Sequence, residues 1–317
     1  MRIGIMIGPD RGRYAQKVGR LVADAEAAEA AGFASIWIPQ IPSDFDALTA
    51  VTLMGTATSR IELGTAVMPI QTRHPVAMAQ QVLSNQAVCE GRFTVGLGPS
   101  HHWIVEDMLG LSYDRPAHQV RDYLEVLAVA LAGPGPVDVE NDTWRIHNPL
   151  DVTDVAPTPM LLAALAPLML KIAGSQTDGT ILWMADERAI GGHVVPKITA
   201  AAADAGRPAP RVVAGVPVAL CANDEVDEVR EWTNQVLGHA EYSPNYQRLL
   251  EEGDARDVGD VLAAGDEAAV AARLRSFRDA GVTDLAVRVV PFGKDGAARL
   301  ESKRRSEAFC ASLVDSL

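Results

Sequence analysis

The residues best suited to move a proton are the histidines, and the chain has seven. His101-His102 is the only adjacent pair and follows directly on the apolar run FTVGLG (93–98) and Pro99-Ser100. An imidazole titrates near neutrality, so it can give or take a proton during a reaction. If 93–98 is a strand, successive side chains alternate in direction and the two rings cannot both face inward. One ring of the pair at most is therefore a candidate acid or base facing a site, and the spacing does not say which. A metal site built from His74, His101 and His102 is the rival reading, and the carboxylates near the pair are Glu106 and Asp107, four to five residues on. Glu106 and Asp107 read as the solvated start of a helix.

A second polar cluster, Gln71-Thr72-Arg73-His74, lies between Pro69 and Pro75. Pro75 suits the first position of a helix. The cluster is either a rigid loop delivering polar groups or a helix entry with His74 near the N-cap. Sequences that would fix a reaction class are missing: there is no nucleophile elbow, Walker loop, H-E-x-x-H or D-F-G. Cys89, Cys221 and Cys310 are widely spaced and form no C-x-x-C pair, so neither a disulfide framework nor a zinc centre is expected.

A recurring unit must position these groups: an Ala-rich helical segment, a Gly that stops it, and a short β-branched run. It is clearest in ADAEAAEAAGFASIWI (23–38), NQAVCEGRFTVGLG (85–98) and RDAGVTDLAVRVV (278–290). Gly just past a helix takes the left-handed cap, and runs apolar on both faces are those of buried parallel strands. Strands are predicted at 2–8, 34–39, 61–67, 93–98, 159–164, 179–184, 211–220 and 284–290. Eight units in 317 residues leave about 40 each, the spacing of a (β/α)8 TIM barrel with insertions. A Rossmann sheet fits less well, because G-x-G-x-x-G is absent. No linker divides the chain, so a single domain over 1–317 is predicted. Segments 99–117, 133–157 and 239–265 exceed a simple connection. The first and third follow strand C-termini, the face on which a barrel builds its site. The second reads as a small hairpin outside it.

Composition narrows the partners. The 28 Lys+Arg against 41 Asp+Glu give a net charge of −13, which argues against nucleic acid and anionic membrane surfaces. Hydrophobic residues make up 48% of the chain, enough for a packed core, yet no apolar stretch approaches membrane-spanning length. The N-terminal MRIGIMIG is strand-like and too short for a secretion signal, so a cytoplasmic location is expected. Trp103, Met108, Tyr113, Tyr242 and Tyr246 in the insertions suggest a small apolar or aromatic substrate.

Taken together, IELGTAVMPIQTRHP and GRFTVGLGPSHHW (within 61–103) resemble the luciferase-like monooxygenase superfamily, and most of all its actinobacterial and archaeal coenzyme F420-dependent oxidoreductases. AEAAEAAGFASIWIPQ, APLMLKIAGSQTDGTILW and AGVTDLAVRVVP stand in the family's usual places, so the resemblance covers essentially the whole chain. It implies a hydride exchange between the deazaflavin coenzyme F420 and an organic substrate at the barrel's C-terminal face. It also implies a non-prolyl cis peptide between Ala66 and Val67 beneath the ring. Gln71, Thr72 and His74 would line the ring edge or the coenzyme side chain, and Gly98, Pro99, Ser100 and His101 would pass under the ring. The phosphate would sit on backbone N–H groups at Ala164, Leu165 and Ala166, near Lys171, with Trp183 and Met184 along the tail. Arg73, His74, Lys171 and Lys197 would supply positive charge for the anionic tail. A homodimer through 47–57 and 76–88 is the family's habit.

The sequence departs from the family at one place that matters. Deazaflavin-dependent sugar-phosphate dehydrogenases put an Asp-His pair after the second strand and a Glu after the fourth; here those positions read Gln40-Ile41 and His101. Gln40 can contact a coenzyme but cannot exchange a proton, so the resemblance leaves that work to His101, with His102 as the alternate and Tyr14 and Glu106 as outside candidates. An FMN-dependent monooxygenase on the same scaffold, or a coenzyme-binding protein without catalysis, are the alternatives.

Overall fold

Eight parallel strands close on themselves in chain order: β1 (Arg2–Met6), β2 (Ser35–Ile38), β3 (Glu62–Thr65), β4 (Phe93–Gly98), β5 (Met160–Leu162), β6 (Gly179–Trp183), β7 (Arg211–Leu220) and β8 (Asp284–Val289). The ring is sealed where Arg2–Ile5 of β1 run beside Asp284–Val287 of β8. The computed structural model describes residues 1–8, 13–133, 135–150, 152, 154–238 and 243–314. The predicted (β/α)8 barrel is what forms, with each of its strands inside a predicted run.

The helices follow from the pattern that suggested them. In α1 (Lys17–Ala30) the buried residues Leu21, Ala25 and Ala28 recur at intervals of four and three, one stripe of a helix. Gly32, Gly91 and Gly281 end helical segments with φ of +88°, +83° and +101°, and each turns the chain into the next strand. The outer layer continues with α2 (Ala47–Ala57), α3 (Pro75–Val88), α4 (Pro116–Ala130), α5 (Pro167–Gln176), α6 (Val195–Asp204), α7 (Val226–Leu237), α8 (Pro244–Glu251), α9 (Glu267–Asp279) and α10 (Gly296–Ser312).

The insertions are more structured than the sequence suggested. Segment 133–157 carries the expected hairpin, Val137–Glu140 against Arg145–Asn148. Segment 239–265, read as a plain excursion, contains α8, a short helix at Val258–Val261 and a strand at Ala263–Gly265 that pairs with the end of β7. Tyr242, one of the aromatic residues expected near a substrate, lies outside the described residues.

The barrel interior is filled at the N-terminal end by charge and higher up by apolar side chains. Arg211 spans that end, donating to Glu62 Oε1 at 2.9 Å and Asp284 Oδ1 at 2.7 Å. Arg2 reaches the same two carboxylates at 2.6 and 3.2 Å, and Thr94 Oγ1 donates to Glu62 at 2.6 Å. Burial alone would raise the Glu62 pKa, but the hydrogen bonds and charges of Arg211 and Arg2 hold it below the usual carboxylate range. Above this cluster lies a layer of Trp37, Leu161, Ile181, Val213 and Ala286. Gly64 makes room for the indole: a Cβ there would stand 2.3 Å from Trp37 Cζ3.

Glu29 at the end of α1 fixes the approach to β3. Its carboxylate accepts the backbone N–H groups of Ser59, Arg60 and Ile61 at 3.0, 2.7 and 2.9 Å. Burial pushes its pKa up, but those N–H groups outweigh it and carry the value down to about 2.

Two outcomes follow for stability. Replacing Arg211 by Leu leaves two carboxylates at the barrel end to the half-exposed Arg2 alone and should cost about 3 kcal/mol in urea unfolding. Adding Glu62→Gln should recover part of that loss, whereas strictly additive losses would show that the cluster is not one unit. Glu29, with a depressed folded pKa, contributes stability that is complete above pH 4.5 and lost as pH falls toward 2. Glu29→Gln should therefore be less stable than wild type at pH 6 and converge on it near pH 2; a constant gap would contradict this role.

Candidate functional site

The strand C-termini open into a cleft of two joined chambers. The first, of about 570 Å³, lies on the β2 side and is lined by Met6, Gln40, Ile41, Trp183, Leu237 and Arg288, among others. The second, of about 290 Å³, runs toward the start of α5 and is lined by Gly98, Pro99, Tyr113, Leu165, Ala166 and Met169, among others. Val67, Ser100, His101, Ala163, Ile181 and Tyr246 belong to both and form the wall between them. No carboxylate lines either chamber among the described residues.

The floor is shaped by close approach of β3 and β4. Thr65 Oγ1 donates to Gly96 O at 2.8 Å and accepts from Gly96 N at 2.9 Å, and a Cβ on Gly96 would stand 2.0 Å from Thr65 O. Only glycine fits there. The next peptide, Ala66–Val67, is cis, as the family resemblance implied. Val67 packs over Gly98, where a Cβ would lie 2.8 Å from Val67 Cγ2 and 3.2 Å from Ala163 Cβ. The glycines leave this floor to backbone and to the side chain of Val67.

Ser100 adopts the left-handed conformation, φ +57°, and its carbonyl accepts from Tyr113 Oη at 3.0 Å. This bend turns His101 into the cleft. Its ring stacks on Trp103 at 4.3 Å with 14° between planes, and Tyr246 stands 5.7 Å away. Burial, and secondarily the neighbouring His102, lower the His101 pKa below its usual value. His102 is exposed, edge-on to Trp103 at 5.2 Å, and lines neither chamber. Of the pair, only His101 faces the cleft, so the two rings do not both point inward.

The cluster 71–74 has another task. His74 caps α3, its Nδ1 accepting Val76 N at 3.3 Å, while Trp144 of the hairpin covers its ring at 4.9 Å. Arg73 pairs with Asp46 at 2.5 Å, and exposed Thr72 bonds back to Pro69 O at 3.2 Å. None of the three lines the cleft. Gln71 lies one contact away from it: its Nε2 donates to Pro99 O at 2.9 Å, and its buried Oε1 has no partner. Gln40 lines the β2-side chamber while its Oε1 accepts the N–H of Ala47 at the start of α2 at 2.8 Å. Histidines 74, 101 and 102 do not converge, and no group of three metal-ligating side chains occurs among the described residues.

At the other end, Leu165 and Ala166 line the α5-side chamber, and Ala164 is buried beside them. No side chain caps α5. The N–H groups of Ala166, Leu168 and Met169 meet no acceptor among the described residues. Such N–H groups at a helix start attract an anion. Lys171 is exposed and Met184 fully buried, both off the cleft; Trp183 lines the β2-side chamber instead. Lys197 contacts His193 at 3.1 Å. Sequence reasoning missed Arg288. It stands two and four residues after the inward-facing Ala286 and Asp284, so the period of two along β8 could have found it.

The profile of the family described as luciferase-like monooxygenase matches residues 1–284. A putative coenzyme F420-dependent oxidoreductase of Mycobacterium tuberculosis is 28% identical over 192 residues, covering 56% of this chain and 54% of that protein, so the match spans about half of that relative. The 5,10-methylenetetrahydromethanopterin reductase of Methanopyrus kandleri is 24% identical, over 90% of this chain and 92% of its own. A solved structure of the coenzyme F420-dependent tetrahydromethanopterin reductase from that organism superposes with a TM-score of 0.77 at 22% identity, covering 99% and 98%. The oxygenating constituent of 3,6-diketocamphane monooxygenase from Pseudomonas putida, in complex with FMN, gives 0.75 at 16% identity, covering 100% and 99%. With the profile spanning most of its length and the fold shared throughout, the chain belongs to the luciferase-like monooxygenase family.

Proposed function

We propose that this protein is an oxidoreductase that binds coenzyme F420 in the two-chamber cleft and exchanges a hydride with a small organic substrate, with His101 handling the proton. The observation that carries this reading is the continuity of the cleft. A glycine-bounded floor leads past one half-buried imidazole to three unused N–H groups at the start of α5.

The residues present fit the group. Ala66, Val67 and Gly98 would underlie a planar ring, and the orphaned Gln71 Oε1 offers an acceptor beside Pro99. Ala166, Leu168 and Met169 would hold the phosphate through their N–H groups. When bound, the deazaflavin supplies the hydride-exchanging ring. His101 then defines the proton side of the chemistry. Its lowered pKa leaves it neutral at physiological pH, so it is poised to accept a proton. With an alcohol as substrate, His101 would take the hydroxyl proton, and the ring held over Ala66, Val67 and Gly98 would be the acceptor of the hydride from the same carbon. Trp103 and Tyr246 screen the imidazole from water.

FMN is a second reading with its own support. No Lys or Arg lines the α5-side chamber, Arg73 is tied to Asp46 and Lys171 faces solvent, an arrangement matched to one phosphate rather than a polyglutamate tail.

Fluorescence titration decides between the coenzymes. F420 should bind at least about tenfold more tightly than FMN, a gap of ~1.4 kcal/mol; the reverse order would replace the first reading with the second. With F420 bound, reduction of the coenzyme by a panel of small primary and secondary alcohols should show an acidic limb below pH 6.5, as protonation removes the base. His101→Phe should lower that rate by about 10²–10⁴ and abolish the limb, with coenzyme affinity unchanged. An unaltered rate in this variant would remove His101 from the proton transfer.

A further inference from the structure

We infer that His193 is a positioning residue for the coenzyme: it holds the Leu165 carbonyl so that the following N–H is offered to the α5-side chamber. This inference rests on the coenzyme-binding reading above.

His193 is buried, 4% exposed, and lines neither chamber. It lies in a π-type turn, Ile190–Val194, inserted between a short helix and α6. A turn of this kind redirects a side chain that regular α-helix would aim elsewhere. Its Nε2 stands 2.8 Å from Leu165 O. A carbonyl can only accept, so Nε2 must carry the hydrogen.

The Nδ1 end sits between Lys197 Nζ, 3.1 Å away in the next turn, and Glu252 Oε1, 3.2 Å away at the C-cap of α8. With a neutral ring, Nδ1 accepts from Lys197. With a protonated ring, Nδ1–H donates to Glu252. The bond to Leu165 survives in both states, so the contact is a fixed strut rather than a switch.

The consequence lies in the peptide plane. The Leu165–Ala166 bond is trans, so its C=O and N–H point in opposite directions. Drawing the carbonyl to His193, outside the cleft, turns the Ala166 N–H away from His193, toward the side on which Leu165 and Ala166 line the chamber. The same imidazole also reaches the end of α8, the helix that carries Tyr246 into the wall shared by both chambers.

The test compares ligands that differ in the phosphate. Wild type, His193→Leu and His193→Gln are titrated with FMN and riboflavin, and with F420 and its phosphate-free deazaflavin core, after thermal melts establish that each is folded. The Leu variant should bind FMN or F420 about tenfold more weakly and the phosphate-free partner within about twofold of wild type. The Gln variant, whose amide N–H can reach Leu165 O, should recover to within about threefold. If the Leu variant does not fold, His193→Asn, whose shorter amide falls short of Leu165 O, takes its place with the same expectation. Unchanged affinity for the phosphate-bearing ligands, or equal loss for both forms, overturns the inference. Wild-type protein that binds none of the four compounds overturns the coenzyme reading itself.

Discussion

A closed ring of eight parallel strands must be filled at one end and kept clear at the other, and the rest of this molecule answers to that demand. The side chains that point into the barrel are large and charged at the N-terminal end, where Arg211, Arg2, Glu62 and Asp284 neutralise one another. They become bulky and apolar around Trp37, and they all but vanish at Ala66, Gly98 and Ala163. The charged end closes the barrel, and the bare end provides a floor on which a ligand can lie. Because the floor is backbone, its shape is set by strand register rather than by rotamers. That rigidity lets the loops above vary while the platform stays the same.

The electrostatics follow the same division. The chain carries a net charge of −13, yet its cleft is lined by no carboxylate among the described residues. The excess charge is borne elsewhere, much of it capping helices or paired with arginines, as with Asp46, Asp266 and Glu29. The N–H groups at the start of α5 are left without acceptors among the described residues, and the Leu165 carbonyl beside them is braced by His193. Arg288 places a guanidinium on the β2 side instead.

Much of the barrel was legible because its signals are local. A glycine that ends a helix and a β-branched run that follows it are facts about a dozen residues, and they located most of its strands. Strand alternation said that the two adjacent histidines would not both face inward, while the preference for His101 came from the family resemblance. The cis peptide at Ala66–Val67 was a different matter: it came from family resemblance, since no local preference marks it. The reading of residues 71–74 shows why polar clusters mislead. Gln, Thr, Arg and His before a proline serve a helix entry as well as a ligand, and the choice was made by Trp144 and Asp46, each distant in sequence. His193 was invisible for the same reason, because its importance lies in a carbonyl 28 residues away.

A crystal structure with the coenzyme bound tests the account most directly, since it locates ring, phosphate and imidazole at once. The account places the ring over Ala66, Val67 and Gly98, the phosphate within hydrogen-bonding distance of the Ala166, Leu168 and Met169 N–H groups, and the His101 ring facing the space left for substrate. A phosphate seated on the basic groove of Arg288, Arg299 and Lys303, or a ring lying away from that floor, would contradict it.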